Sequence, residues 1–258
     1  MEFPIHHIAT QKHWADLVLN PSTLQQIDQL FTWLKQHKEN VNTRDSLRNG
    51  FRALFYGPAG TGKSLTAAIL GNELDTEVYE IDLSHLVSKY IGETEKNLEL
   101  LFESAESKGW ILFFDEADAL FGKRTGVKDS HDKYANQEIN YLLQRIEDYN
   151  GLVIVSSNSK PNLDDAFTRR FHSLIHFPLP SAAERRRIWE IAFLENKLMQ
   201  ESIDLDSIAE KYELSPDSIM NIVRNVNDMN LSQSIATITG EQVIKAIKRQ
   251  YDKEPIPR

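Results

Sequence analysis

The feature that most limits how this chain can fold is the loop at residues 57–64, which reads Gly-Pro-Ala-Gly-Thr-Gly-Lys-Ser. An apolar run, Phe51–Tyr56, precedes this loop, and a good helix-forming stretch, Leu65–Leu74, follows it. A strand, a loop of this pattern and a helix together form the unit that cradles phosphate groups in proteins. The glycines let backbone N–H groups turn towards a polyphosphate, and the helix N-terminus adds a favourable dipole. The pattern therefore predicts binding of a nucleoside triphosphate.

Two side chains of the loop have specific predicted roles, and the predicted cofactors are ATP and Mg²⁺. We expect Lys63 to reach the β- and γ-phosphates and the hydroxyl of Ser64 to hold the metal ion. The alternative, a glycine-rich turn with a chance lysine, does not account for the strand and helix on either side. The residues predicted to surround the phosphates are Gly57, Pro58, Ala59, Gly60, Thr61, Gly62, Lys63, Ser64 and Leu65.

Composition excludes several classes of protein. The formal net charge of −9 argues against a general nucleic-acid binder, which usually carries a basic footprint. No apolar run approaches the ~18–20 residues of a membrane span, so no membrane partner is predicted. The N-terminus lacks the basic start and apolar stretch of a signal peptide, and the chain has no cysteine, so we expect a cytoplasmic protein.

Strand-like and helical segments alternate over the first two-thirds of the chain, which predicts an α/β fold with a parallel sheet. The predicted strands are Phe51–Tyr56, Val78–Asp82, Trp110–Asp115, Leu152–Ser157 and Leu174–Phe177. The predicted helices between them are Lys63–Leu74, Glu95–Lys108, Asp132–Tyr149 and Leu163–Arg170, and Ser22–His37 precedes the first strand.

Two prolines near residue 180 mark a predicted boundary, after which only helices are expected. Ser215 followed by Pro216 is typical of an N-cap and a first helical residue. The predicted helices are Ala182–Asn196, Leu205–Tyr212, Pro216–Asp228 and Glu241–Gln250. We therefore expect a leading segment at 1–45, a large α/β domain at 46–179 and a small helical domain at 180–258.

A second motif completes the predicted phosphate site. The apolar strand Trp110–Asp115 ends in two carboxylates, those of Asp115 and Glu116. Asp115 is expected to hold Mg²⁺, mostly through water, and Glu116 to polarise the attacking water. Acidic pairs at strand ends are common solvated features, but together with the loop at 57–64 this pair indicates nucleotide hydrolysis.

The run Asp115-Glu116-Ala117-Asp118-Ala119-Leu120-Phe121 makes the chain resemble an AAA+ ATPase of the AAA clade, which includes spastin and katanin. The resemblance extends from Trp14 to about Gln250. It implies a five-stranded parallel P-loop NTPase sheet, a small helical lid domain at the C-terminus and assembly into a ring, usually a hexamer.

The resemblance assigns further site residues. Asn158 matches the sensor-1 position that orients water, although asparagine is also an ordinary turn residue. Arg169 and Arg170 match paired arginine fingers, which act on the γ-phosphate of a neighbouring subunit; a solvated pair at a helix end is the alternative. Asp16, Leu17 and Val18 match the segment that covers the adenine.

A third set of residues resembles the first pore loop of the clade, where an aromatic residue grips a polypeptide. Tyr90 would be that aromatic, with Lys89 and Ile91 beside it. The alternative is a half-buried tyrosine ahead of a helix start. The neighbouring Gly92 favours the pore loop, and the resemblance thus implies a protein substrate or adaptor as partner.

The chain also departs from the pattern of its clade. The lid helix often begins Ser-Gly-Ala or Ser-Gly-Gly, whereas here it reads Ser215-Pro216-Asp217. The position of a sensor-2 arginine holds Met220, which cannot report the γ-phosphate by charge. Nucleotide affinity and lid coupling, through Arg224 or otherwise, are therefore open at this point.

Together these motifs predict a ring ATPase that remodels, unfolds or disassembles protein substrates through a central pore. The alternatives are a nucleotide-gated assembly scaffold and a nucleic-acid-associated motor on the same fold. The runs 121–124, 131–136 and 141–145 look like those of short bacterial AAA ATPases, some of which accompany contractile injection systems.

Overall fold

The computed structural model describes residues 5–39, 50–83, 94–118, 140–158, 168–196, 199–201, 203–232 and 237–253. The chain forms two compact units. The first unit takes its described residues from Met1–Trp14, Pro21–Gly57 and Lys63–Phe177. The second takes them from Ala15–Asn20, Pro58–Gly62 and Pro178–Arg258. The loop at 57–64 therefore contributes residues to both units.

A six-stranded sheet forms the centre of the first unit, in the order β1-β3-β4-β5-β2-β6. Five of its strands run parallel, which confirms the predicted sheet, while β1 is an antiparallel edge strand on β3. The sequence did not predict β1, because His6 and His7 interrupt its apolar pattern. The strands are β1 Ile5–Ile8, β2 Phe51–Tyr56, β3 Val78–Asp82, β4 Ile111–Asp115, β5 Leu152–Ser157 and β6 Ser173–His176.

Helices of the first unit bury the central strands. The helices are α1 Pro21–Glu39, α2 Lys63–Glu73, α3 Thr94–Lys108 and α4, described over 140–148. Phe102 of α3 and Ile146 of α4 pack in one cluster with Phe114 of β4 and Val155 of β5. All six residues of β5 are buried. Parallel strands covered in this way read as continuous apolar runs, which is why the sequence located them.

The second unit contains four helices and, in one respect, contradicts the sequence prediction. Two short strands, β7 Met199–Glu201 and β8 Thr237–Thr239, pair in parallel where only helices were expected. Each strand has three residues, too few to show the alternating pattern by which a strand is recognised. The helices are α5 Ala182–Glu195, α6 Leu205–Lys211, α7 Pro216–Ser232 and α8 Gly240–Lys253.

Helix caps explain where the helices of the second unit begin. Ser181 and Glu184 form a capping box at the start of α5, each side chain bonding the other residue's backbone N–H. At α7, the Oγ of Ser215 accepts the backbone N–H of Ser218 at 3.2 Å, as the predicted N-cap requires. The helices then bury one apolar cluster that includes Trp189 and Phe193.

Candidate nucleotide site

The register of the parallel strands gathers three of the predicted site residues at one edge of the sheet. In the order β4-β5-β2, Phe114 pairs with Val155 and Tyr56 with Ser157. Asp115 ends β4, Asn158 follows β5 and Gly57 follows β2. Because the carboxyl ends of parallel strands meet at one edge, residues from distant parts of the sequence become neighbours.

Lys63 lies at the centre of this edge, with its side chain almost completely buried. Its Nζ donates hydrogen bonds to the backbone oxygen of Gly57 at 2.7 Å and to the Oδ1 of Asn158 at 3.1 Å. Burial lowers the pKa of Lys63, while the nearby carboxylates of Asp115 and Asp118 oppose that shift. The structure thus brings together a cation, an amide and two carboxylates that the sequence places far apart.

Asp118 is a site residue that the sequence analysis did not single out. Its Oδ1 accepts the hydroxyl of Ser157 at 2.9 Å, and its Oδ2 accepts the backbone N–H of Asn158 at 2.8 Å. These bonds tie the end of β5 to the turn after β4. The available signal was a third carboxylate in the run that supplied Asp115 and Glu116, but spacing alone assigns it no partner.

Glu116 has an unusual backbone conformation at the turn after β4. Its φ of +53° lies in the left-handed region, which costs a non-glycine residue on the order of 1–3 kcal/mol. The next residue, Ala117, donates its N–H to the oxygen of Ser156 at 2.9 Å, which stabilises the turn. The side chain of Glu116 is exposed, so it is accessible to solvent, as a group that activates water must be.

Glycine is required at the start of the phosphate-binding loop for steric reasons. Gly57 has a φ of +145°, and a Cβ built on it would lie 2.0 Å from the backbone oxygen of Phe177. The backbones of the loop and of the residue after β6 are therefore closer than any side chain permits. An alanine at this position would displace the strand end that carries Lys63 and its partners.

The middle of the loop contacts the lid helix α7 inside the second unit. The N–H of Asp217 donates to the oxygen of Gly60 at 3.1 Å, and Thr61 donates its hydroxyl to the oxygen of Pro58. Pro216 has no N–H, so Asp217 carries the first free donor at this helix end. The departure from the small residues of the clade therefore coincides with a backbone bond to the loop.

The predicted adenine segment and the predicted pore loop differ in how much the structure describes. Leu17 has its Cδ1 3.4 Å from the position of a Cβ on Gly62, and Val18 packs on the core of the second unit. Asp16 ends a short 3₁₀ helix, Trp14–Asp16. Their role in adenine binding stays a prediction. Lys89, Tyr90 and Ile91 lie outside the described residues, as do the runs 121–124 and 131–136.

The arginine pair lies at the opposite edge of the same sheet. Arg169 and Arg170 precede β6, and the oxygen of Arg170 accepts a hydrogen bond from the side chain of Arg52 at the start of β2. Gly57 follows the far end of β2, about 16 Å away at ~3.3 Å per residue. That separation exceeds the length of an arginine side chain, so neither arginine reaches the phosphate site of its own chain.

Comparison with known proteins agrees with this arrangement. Residues 53–179 match the model of the family described as "ATPase family associated with various cellular activities (AAA)". The chain belongs to the AAA family of ATPases. The match covers the loop at 57–64, Asp115, Glu116, Asn158 and the arginine pair. ATPase activity is the general property of this family, so the AAA ATPase fold and the geometry of the site point to the same chemistry.

Curated relatives extend the similarity beyond the ATPase core. This AAA protein is 30% identical over 262 residues to the A-like 1 form of the katanin p60 ATPase-containing subunit of Rattus norvegicus, a match that covers 95% of the chain and 52% of that protein. The human protein of the same name is 29% identical with the same coverage. "Cell division protein C" of Sulfolobus acidocaldarius is 29% identical over 211 residues, covering 78% of the chain and 52% of that protein. The chain thus spans about half the length of these relatives.

A helix long and apolar enough to cross a membrane does not occur in the described part of this AAA protein.

Proposed function

We propose that this AAA protein hydrolyses ATP in a Mg²⁺-dependent reaction, within a homo-oligomeric ring whose members share their active sites. The observation that carries the proposal is the separation of Lys63 and its neighbours from the arginine pair by the length of β2. A phosphate site at one edge and two arginines at the other edge suit a neighbour-to-neighbour arrangement. A hexamer is the proposed ring, because the AAA clade usually assembles in that form.

The residues at the phosphate edge fit ATP and Mg²⁺. The ammonium of Lys63 is buried beside an amide and two carboxylates, and the glycines of the loop free backbone N–H groups for phosphate oxygens. Ser64 and Asp115 would hold Mg²⁺, which when bound neutralises charge on the phosphates. Lys63 binds the β- and γ-phosphates, Glu116 takes the proton of the attacking water, and Asn158, held by Asp118, orients that water.

The trans-acting group is the arginine pair of the adjacent subunit. A guanidinium close to the γ-phosphate stabilises the charge that develops in the transition state, and such fingers are worth ~10³–10⁵ in rate. In this proposal Arg169 and Arg170 complete a neighbour's site and contribute nothing to their own. Hydrolysis per subunit therefore depends on assembly.

The substrate class proposed for the ring is a protein, drawn through a central pore. Tyr90, with Lys89 and Ile91, would contact an extended polypeptide, since an aromatic ring with a hydroxyl binds many sequences. The relatives named as a cell division protein and as a component of katanin support a role in protein assemblies. An accessory role in a bacterial contractile injection system rests on the runs near residues 121–136 and stays a prediction, as does a cytoplasmic location.

The test is ATP hydrolysis per subunit, measured over a wide range of protein concentration. We expect a steep rise with concentration, abolished in Arg169→Ala. Mixing Arg169→Ala with Glu116→Gln should restore activity, because each inactive chain supplies what the other lacks. Lys35→Met, a charge loss on an exposed position of α1, serves as the control and should behave like the wild type.

Other outcomes would identify a different function. A substantial rate that ignores both concentration and Arg169 would mean that each chain hydrolyses ATP alone. Negligible turnover in a confirmed ring would favour the nucleotide-gated scaffold. Saturable stimulation by DNA would favour the nucleic-acid motor. Unchanged protein-stimulated hydrolysis in Tyr90→Ala would remove the pore from the proposal.

A further inference from the structure

We propose that Arg52 is a positioning residue for the arginine pair, holding the turn at 168–172 in the geometry that completes a neighbouring active site. This inference rests on the shared-site function proposed above. Arg52 lies at the start of β2, far from the phosphate edge of its own chain. It is therefore a residue through which one member of the ring would affect hydrolysis in the next.

The guanidinium of Arg52 joins two segments that flank the arginine pair. Its Nε donates to the backbone oxygen of Arg170 at 2.8 Å, and its Nη1 donates to the backbone oxygen of Glu147 at 2.7 Å. Glu147 lies in the last turn of α4, where carbonyl oxygens lack partners within the helix. One planar side chain thus satisfies a helix end and fixes the turn that carries Arg169 and Arg170.

The backbone of Arg52 reinforces the same contact. Its N–H donates to the Nδ1 of His172 at 3.0 Å, and its oxygen accepts the N–H of His172 at 2.9 Å. These bonds hold the residues just after the arginine pair against the start of β2. Together with the guanidinium they give the segment 170–172 three direct bonds to a single residue.

The chemistry of this clamp requires an arginine. The two carbonyl oxygens are reached by different nitrogens of one rigid, planar fork, a geometry that a lysine ammonium on a flexible stem does not reproduce. The positive charge also suits the C-terminal end of α4, where the helix dipole is negative. Arg170 adds its own bond from Nη1 to the Oε1 of Glu147 at 2.7 Å, so α4 and the turn are tied together on both sides of Arg52.

The experiment compares Arg52→Met with Arg169→Ala in the full chain, each alone and mixed with excess Glu116→Gln. We expect Arg52→Met alone to lose about 10²-fold in hydrolysis per subunit, the size of effect that a ~1 Å misplacement produces. In the mixture, neighbours with intact arginine pairs should restore the rate per Arg52→Met chain. ATP affinity of Arg52→Met should remain that of the wild type, because its own phosphate edge is unchanged.

Arg52→Lys provides a second variant that keeps the charge. We expect it to lose activity to a smaller extent than Arg52→Met, about tenfold, because it retains one of the two carbonyl bonds and loses the fork. If Arg52→Met does not fold, the same mixing experiment with Arg52→Lys carries the test. Lys35→Met controls for the loss of a cation from the surface of the same unit.

Two results would overturn the inference while leaving the shared site intact. The first is a wild-type rate for both Arg52 variants in assemblies where Arg169→Ala is inactive. The second is a lowered rate in the Arg52 variants that Glu116→Gln does not restore, although it restores Arg169→Ala. Failure of the shared site itself would look different, because Arg169→Ala would then keep its activity or gain nothing from mixing.

Discussion

At the scale of single residues, Arg169 and Arg170 are adjacent in sequence but have different surroundings. Arg170 is paired with Glu147 at 2.7 Å, whereas Arg169 is exposed and has no ion pair with another described residue. An exposed pair of this kind is worth about 0–1 kcal/mol, enough to bias the resting position of Arg170 away from solvent. We therefore expect Arg169→Ala to lower kcat by about 10³-fold or more and Arg170→Ala by much less. Equal losses in the two variants, measured in assembled rings, would contradict this division.

Asp118 allows a second prediction at this scale. Asp118→Asn replaces a carboxylate that accepts two hydrogen bonds by an amide with a single acceptor oxygen, so either Ser157 or the N–H of Asn158 loses its partner. We expect kcat to fall about tenfold or more, since Asn158 is no longer held, while the Kd for ATP changes little. Steady-state hydrolysis with a separate nucleotide-binding assay checks it. A change confined to Kd would mean that Asp118 acts on nucleotide binding and not on Asn158.

His172 gives a prediction about pH. Its Nδ1 edge faces the N–H of Arg52, and loss of hydration there, followed by repulsion from the Arg52 guanidinium, lowers the pKa of His172. A histidine of this kind contributes stability fully above its unfolded pKa of about 6.5, and that contribution is lost as the pH falls below this value. The ring protons of His172, identified by their absence in His172→Gln, should titrate with a midpoint below about 6.5. A midpoint at or above that value would exclude the neutral ring.

At the scale of elements, Arg185 of helix α5 determines how α5, α6 and the segment before them pack. Its guanidinium is buried and donates to the backbone oxygens of Ala209 and Pro180. Arg185→Met keeps the apolar stem but leaves both oxygens without these donors, each loss costing ~1–3 kcal/mol. We expect the free energy of unfolding of the second unit to fall by about 2–4 kcal/mol, measured by denaturant titration. Arg186→Met on the same helix is the matched control, since Arg186 is exposed and makes only surface ion pairs.

At the scale of the whole molecule, nucleotide binding should stabilise the fold measurably. A ligand that binds only the folded state at about 100 times its Kd adds about 2.7 kcal/mol, which corresponds to several degrees in Tm for a chain of this size. We expect Glu116→Gln to show this rise with ATP and Mg²⁺, to show less of it with a chelator, and to lose it when Lys63→Ala is added. An equal rise in the protein that lacks Lys63 would place the nucleotide elsewhere.

The sequence by itself determined the features that depend on neighbouring residues. Apolar runs located β2, β4 and β5, the glycines and Lys63 identified the phosphate-binding loop, and Ser215 with Pro216 marked the start of α7. These predictions succeed because side-chain periodicity, capping and turn chemistry act over a few residues. The antiparallel strand β1 and the strands β7 and β8 escaped prediction, since their short runs become strands only when a distant partner supplies hydrogen bonds.

Only the tertiary structure decided which distant residues act together. The bonds of Arg52 to Arg170 and of Lys63 to Asn158 join residues 118 and 95 positions apart, and no spacing in the sequence indicates them. The order of strands in the sheet is responsible, because it sets β5 between β4 and β2 and places β6 beside β2. That order gathers Asp115, Asn158 and the loop at one edge and sends the arginine pair to the other. Local chemistry thus defines the groups of this ATPase, and the pairing of strands defines which of them share a site.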